Sequence, residues 1–377
     1  MTTIISTDTS NSEQLLGRQP VLKILGMGGG GSNAVNRMIE LGLKGVEFIA
    51  ANTDLQALNQ SLAPTKLALG PRTTRGLGAG GDPRRGEEAA EESFKDLCEV
   101  LRGADMVFLT AGMGGGTGTG SIPVAARAAR EVGAVTVAIV TMPFTFEMGR
   151  RQRNAREGMS KLQPYADTLV TVPNDQLLKV APPNTTLDMA LRLADDVLRQ
   201  GVQGISEIIT QPGMINVDFA HVRSVMKMGG GSLLSIGIGS GEQKARKAIE
   251  HALHHPMLEA ISIEEASAIV ANFTGGNDLT FLEMVDAMQH LQDQTHNRAE
   301  IIPGVITDPR MTNRVQVILL ITGLGATPMD ARSPFSPRPV KVQEPVLVSA
   351  GRVEDHASEV VASGNQDLPA FMRRRIH

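Results

Sequence analysis

The sequence predicts an α/β protein, a doubly wound parallel sheet joined by a long central helix to a second α/β domain. Three observations carry that expectation. Apolar, strand-like runs that end in polar or glycine-rich exits recur five times between residues 20 and 180. That recurrence marks parallel strands whose loops gather on one sheet edge. Residues 185–211 then place Leu187, Leu191, Ala194, Leu198, Val202, Ile205 and Ile209 at spacings of three and four, the stripe of an amphipathic helix. Beyond it, the strand patterns SLLSIGIGSG, SIEEASAIVANFT and RVQVILLITGLG alternate with the helical patterns EQKARKAIEHALH and DLTFLEMVDAMQHLQDQ, ending near Gly325.

Taken in order, residues 1–19 are polar, lack an apolar period and predict a disordered arm. PVLKIL (20–25) predicts the first strand, opening into GMGGGGSN (26–33) and a helix. Gly26, Gly28 and Gly31 satisfy the GxGxxG dinucleotide fingerprint, which a glycine tract this dense meets readily. VEFIAANTD (46–54) predicts a strand that delivers Asn52, Thr53 and Asp54 to its C-terminal end, where open α/β sheets bind ligands. Next comes GLGAGGDPRRG (76–86), a third glycine-rich loop, and then an acidic helix that ends at Gly103.

Residues 105–120, DMVFLTAGMGGGTGTG, are the stretch around which the chain is organised. A fully apolar strand empties into glycines and two threonines, and a small-residue helix follows until Gly133. Strand, glycine loop and helix N-terminus together make an anion site, because bare backbone N–H groups and the helix dipole face one point. No lysine follows the glycines, so this is not the GxxxxGK[ST] phosphate loop. Ligand charge would be offset by helix dipoles, a metal ion, or both. AVTVAIVTMPF (134–144) and DTLVTVPNDQLL (167–178) complete the strands, the latter with Asn174 and Asp175 at its exit. Thr185 or Thr186 caps the long helix, Pro212 and Gly213 end it, and Asp218 caps a helix that starts at Phe219.

The 377 residues allow two domains of roughly 150 residues each plus a tail. A net charge of −4, no Trp and a single Tyr argue against nucleic-acid binding by charge or base stacking. The lone Cys98 excludes an internal disulfide and suggests a reducing compartment. No apolar run approaches 18 residues and no signal-peptide pattern stands out, which predicts a cytosolic protein without a transmembrane segment. His251, His254 and His255 read as a solvated helix face, since no carboxylate or Cys completes a metal-ligand set. Residues 326–366, interrupted by Pro328, Pro334, Pro337, Pro339 and Pro345, predict a flexible linker. The end, DLPAFMRRRIH (367–377), sets Leu368, Phe371 and Met372 beside Arg373, Arg374 and Arg375, the make-up of a docking peptide.

GGGTGTG (114–120) resembles the signature loop of tubulin. GGGGSNAVNRM, NTD at 52–54, GLGAGGDP, PFTFE, VPNDQLL and NVDFA then follow in the order of the tubulin-like family of bacterial cell-division GTPases. The likeness covers roughly residues 20–325 and the peptide from Asp367 to Arg375. It implies a cytoplasmic GTPase that binds GTP or GDP with Mg²⁺ and polymerises head to tail at the midcell division site. It divides the chain into a GTP-binding domain (20–184), the connecting helix (185–211), a C-terminal domain (212–325), the linker and the peptide, which would bind membrane-tethering division proteins. Carried over by position, Gly29, Gly30, Gly31 and Asn33 would serve the diphosphate, with Asn52 on the neighbouring strand end. Gly115, Gly116, Thr117, Gly118 and Thr119 would cradle the β- and γ-phosphates, Glu147 and Arg151 would hold the ribose and a nearby phosphate, and Asn174 and Asp195 would read the guanine edge. The catalytic group would come from the next subunit, through Asn216 and Asp218. Two positions depart from the family. His221, carried over with them as a candidate catalytic position, stands where a second aspartate is usual, which implies slower hydrolysis, a different cation arrangement or, as the alternative, a structural paralogue that binds GTP and co-assembles. Leu191 stands where a base-stacking phenylalanine is common.

Overall fold

The computed structural model describes residues 19–182, 184–211, 218–229, 231–254 and 263–324. Residues 1–18 of the expected arm (1–19), Pro212, Gly213, Asn216, His255, the linker and the C-terminal peptide lie outside the described residues.

In chain order the first half comprises β1 (Leu22–Met27), α1 (Gly28–Glu40), β2 (Glu47–Asn52), α2 (Leu55–Asn59), β3 (Thr65–Ala68), α3 (Pro83–Glu92), α4 (Phe94–Leu101) and β4 (Met106–Gly112). Then come α5 (Thr117–Glu131), β5 (Val135–Met142), α6 (Met148–Leu162), β6 (Thr168–Pro173), α7 (Asn174–Val180) and the spine α8 (Leu187–Thr210). The second half comprises α9 (Phe219–Met226), β7 (Gly231–Ser240), α10 (Lys244–Leu253), β8 (Ala268–Gly275), α11 (Phe281–Gln294), β9 (Glu300–Thr307) and β10 (Arg314–Leu324).

The sheet runs β3-β2-β1-β4-β5-β6-β7-β10-β8-β9. From β3 to β6 every pairing is parallel, so all these strands end on one edge. Strand order reverses between β1 and β4, and that switch point opens a crevice at the strands' C-terminal ends. β4 shows why its sequence is apolar throughout. Met106 and Phe108 pack with α1 and α8 on one face, while Val107 and Leu109 pack with α3, α4 and α5 on the other. A parallel strand covered on both faces has no solvent side to alternate with. β10 pairs antiparallel with β7 and β8, and β8 pairs parallel with β9, giving a mixed sheet backed by α10 and α11.

Several elements differ from the sequence expectation. The structure adds β3 and β9, both on sheet edges, and divides the acidic helix into α3 and α4 at Ser93. The spine stripe holds for Ala194, Leu198, Val202 and Ile205, but Leu187 is 58% and Leu191 46% exposed. In those first turns Ala190 is still buried, Leu191 faces the cleft described below, and Leu187 is exposed at the first residue of the helix. Thr186 is its cap, accepting from Met189 N at 3.3 Å. Asp218 caps α9 as expected, its Oδ1 accepting from Ala220 N at 3.0 Å.

The glycine tract 28–31 is the first turn of α1, not a loop ahead of it. Gly31 allows that helix to lie on the sheet, since a Cβ there would stand 2.4 Å from Thr110 O and 2.9 Å from Gly26 C. Both neighbours are backbone and cannot rotate away. Gly31→Ala is therefore expected to lower stability by about 1–3 kcal/mol, read as a melting temperature down by about 5 °C in calorimetry. Gly29→Ala, whose added Cβ meets nothing within 4 Å, should leave the melting temperature nearly unchanged. Equal destabilisation of the two variants would contradict the packing role.

Candidate functional site

Two helix N-termini meet at the switch point. α1 begins directly after β1, and α5 begins a few residues after β4. Neither has a side-chain cap hydrogen bond, and neither carries an acidic residue in its first turn. The first N–H groups of both helices thus remain for an external acceptor. Gly28 joins them. Its φ of +68° is a left-handed conformation, and a Cβ there would meet Gly118 N at 2.7 Å.

These termini floor a cleft of ≈ 340 Å³, within the usual range for small-molecule sites. Gly29, Gly30 and Asn33 come from α1, and Gly112, Gly115, Gly116, Thr117 and Gly118 from the β4–α5 junction. Thr141, Pro143, Glu147 and Arg151, and Asn174, Leu191, Ala194 and Asp195 from α7 and α8, complete the lining. Added Cβ atoms at Gly29 and Gly115 would meet no atom within 4 Å, so both face open space. The chain thus brings together eleven of the residues singled out from sequence: Gly29, Gly30, Asn33, Gly115, Gly116, Thr117, Gly118, Glu147, Arg151, Asn174 and Asp195.

Three others stand behind the lining. Gly31 is buried against Thr110. Thr119 is 1% exposed and its Oγ1 accepts from Gly114 N at 2.8 Å, which holds the loop. Asn52 is buried at the end of β2, where its Oδ1 accepts from Asp54 N at 3.2 Å. The glycine loop at 76–81 also stays outside the lining. Its Ala79 and Gly81 back onto Gly116, with an added Gly116 Cβ standing 2.9 Å from Ala79 Cβ. Thr53 Oγ1 lies 2.5 Å from Thr117 Oγ1, tying the β2 exit to the start of α5. Sequence reasoning did not single out Thr141, Pro143 or Met113 as lining; each sits at a strand exit or in the glycine loop, where the edge rule points.

The polar groups of the cleft differ in how far they are already committed. Glu147 accepts from Phe144 N at 2.9 Å and pairs with Arg151, so both are held in place. Asn174 is buried and, among the described residues, its Oδ1 has no partner. Such an orphan costs free energy unless something outside the chain fills it. Asp195 is pushed up to about 6 by burial, with Arg37 and Arg192 pulling the other way. A buried carboxyl with this bias takes up its charge readily only when donors arrive.

Asp218 and His221 do not line the cleft. Both are exposed at the start of α9, and His221 Nε2 lies 2.5 Å from Glu300 Oε1 at the start of β9. Among the described residues no helix is long and apolar enough to cross a membrane.

Comparison with known proteins places this geometry. Residues 21–182 match the model of the Tubulin/FtsZ family GTPase domain, and residues 230–325 match that of the FtsZ family C-terminal domain. A point mutant of FtsZ from M. jannaschii is 41% identical, with 84% of this chain and 95% of that chain covered at a TM-score of 0.79. An empty FtsZ dimer from M. jannaschii gives 41% identity, 85% and 93% coverage and a TM-score of 0.78. CetZ2 from Haloferax volcanii, a GTPγS-bound protofilament, shares the fold at 19% identity, 82% and 94% coverage and a TM-score of 0.68. An uncapped double helix terminus at the switch point, two matching family models and relatives at this identity agree: the chain belongs to the tubulin/FtsZ family of GTPases.

Proposed function

We propose that the chain binds GTP in this cleft, assembles head to tail into filaments, and hydrolyses GTP only where two subunits meet. One observation carries the reading. The cleft gathers two uncapped helix N-termini for phosphates but, among the described residues, no carboxylate free to act on water there. Its two acidic lining residues are Glu147, tied to Arg151, and Asp195, which this reading gives to the guanine edge. Asp218, exposed on α9, is the acid a second subunit would bring.

In this reading Gly29, Gly30 and Asn33 serve the diphosphate, and Gly115 to Gly118 the terminal phosphates, with Gly31 and Thr119 holding those turns in shape. Glu147 and Arg151 hold the ribose side, and Asn174 and Asp195 read the guanine edge. A carboxylate accepts from guanine N1–H and N2–H together. Mg²⁺ would supply charge neutralisation on the phosphates. Of the side chains lining the cleft, the Thr117 hydroxyl is the one that would hold such an ion. In the neighbouring subunit Asp218, helped by Asn216, orients the attacking water. The dimeric M. jannaschii relative supports self-association. The cellular role that fits is a cytoplasmic division ring at midcell, with the 367–375 peptide docking membrane-tethering division proteins.

The test is light scattering and phosphate release on the purified chain with GTP and then GDP. Scattering is expected with GTP alone, and phosphate release per subunit should rise with protein concentration. Release at full rate below the assembly concentration would overturn the shared site.

A further inference from the structure

We propose that His221, held by Glu300, is the proton acceptor for the attacking water at the subunit interface. The inference rests on the interface reading above and adds two residues to it. Asp218 precedes α9 and His221 follows three residues later, so they share one side of its first turn. Glu300 arrives from β9, 79 residues away in sequence, and places Oε1 2.5 Å from His221 Nε2. Its backbone is fixed as well, with Glu300 N donating to Ser267 O at 3.0 Å at the start of the β8–β9 ladder.

A carboxylate on one ring nitrogen fixes both tautomer and ring orientation. With Nε2–H donating to Glu300, the lone pair lies on Nδ1. Among the described residues Nδ1 has no partner, and the side chain is about half exposed. The arrangement is a base with an orienting acid behind it, beside the acid already assigned to water. The negative charge that His221 lacks is returned by Glu300.

The step balances without further reactants. The water oxygen forms a bond to the γ-phosphorus of the neighbour's GTP, and the bond from that phosphorus to the β–γ bridging oxygen breaks. GDP leaves with the electron pair. The water proton passes to His221 Nδ1, and the imidazolium formed is stabilised by the Glu300 carboxylate. His221 is the catalytic residue of this step and Glu300 its positioning residue.

The experiment uses the full chain under assembling conditions, with sedimentation and phosphate release measured together. His221→Ala is expected to pellet like the parent and to lose about 10²-fold in turnover. Added imidazole should restore part of that loss. Glu300→Gln should lose about tenfold or more, and Glu300→Asp should recover a share of it. Parent-like turnover in His221→Ala, or a loss that imidazole does not relieve, overturns the proposal. Asp218→Ala separates the two levels. If Asp218→Ala is inactive while His221→Ala turns over normally, the base assignment alone fails. If Asp218→Ala is fully active, the interface reading fails and the base assignment with it.

Discussion

Asp195→Asn is expected to weaken GDP and GTP binding by about 10³-fold and to create affinity for xanthosine nucleotides. Asp195 lines the same cleft as the orphaned Asn174. In the proposed complex its carboxylate accepts two guanine N–H groups, each charge-assisted bond being worth roughly 1.5–3 kcal/mol. An amide offers one acceptor and one donor. Against guanine its NH₂ would face the N2 amino group, donor against donor. Against xanthine, where a carbonyl stands at C2, the same NH₂ finds an acceptor and the amide oxygen still takes N1–H. The pH dependence follows from the same group. In the free chain burial raises Asp195 to about 6, while the bound form needs the charge. Guanine nucleotide affinity should be flat above pH 7 and fall by about tenfold per unit below pH 6. The unliganded fold carries the opposite sign. A carboxyl raised above its unfolded value costs stability once both states are ionised, on the order of 2 kcal/mol at neutral pH. Asp195→Asn should therefore melt higher at pH 7.5 while binding worse. Calorimetric titration with GDP and XDP between pH 5 and 8 reads the affinities. A variant that keeps GDP affinity, or gains none for XDP, would place the base elsewhere.

How much of this was legible in the sequence depended on distance along the chain. The switch-point crevice was legible because its parts are local: β1 with the glycines of α1, and β4 with those of α5. Each is a strand, a glycine run and a helix within about 25 residues. The two missed strands are edge strands with weak signals. β3 is four residues long and β9 contains Pro303, which sequence patterns disfavour inside a sheet but an edge accepts. Leu187 and Leu191 have the helical period of a core stripe. Period reports a face, though not whether another layer reaches that turn. Gly31 and Thr119 belong to the glycine motifs yet support the cleft from behind, a distinction set by which way each position faces on its helix rather than by residue type. The His221–Glu300 pair spans two elements and 79 residues, so no local pattern contained it.

Asp218→Ala should leave monomeric GTP affinity within about twofold and reduce turnover by about 10²–10³-fold. The affinity is spared because Asp218 does not line the cleft. Turnover falls because the water on the neighbour's nucleotide loses its acid. Asp218 also caps α9 by accepting from Ala220 N at 3.0 Å, and loss of a cap costs about 1 kcal/mol. Asp218→Asn separates these effects, since an amide oxygen keeps the cap and gives up the charge. It should match the alanine variant in turnover and the parent in melting temperature. Complementation then decides whether the acid acts across subunits. Asp218→Ala binds GTP but brings no acid, whereas Asp195→Asn brings the acid but binds little GTP. Each should be nearly inactive alone with GTP. Mixed, the cleft of the first meets the α9 face of the second, and phosphate release should reappear at each such junction. A site complete within one chain would gain nothing from mixing, because no single chain in the mixture would carry both parts.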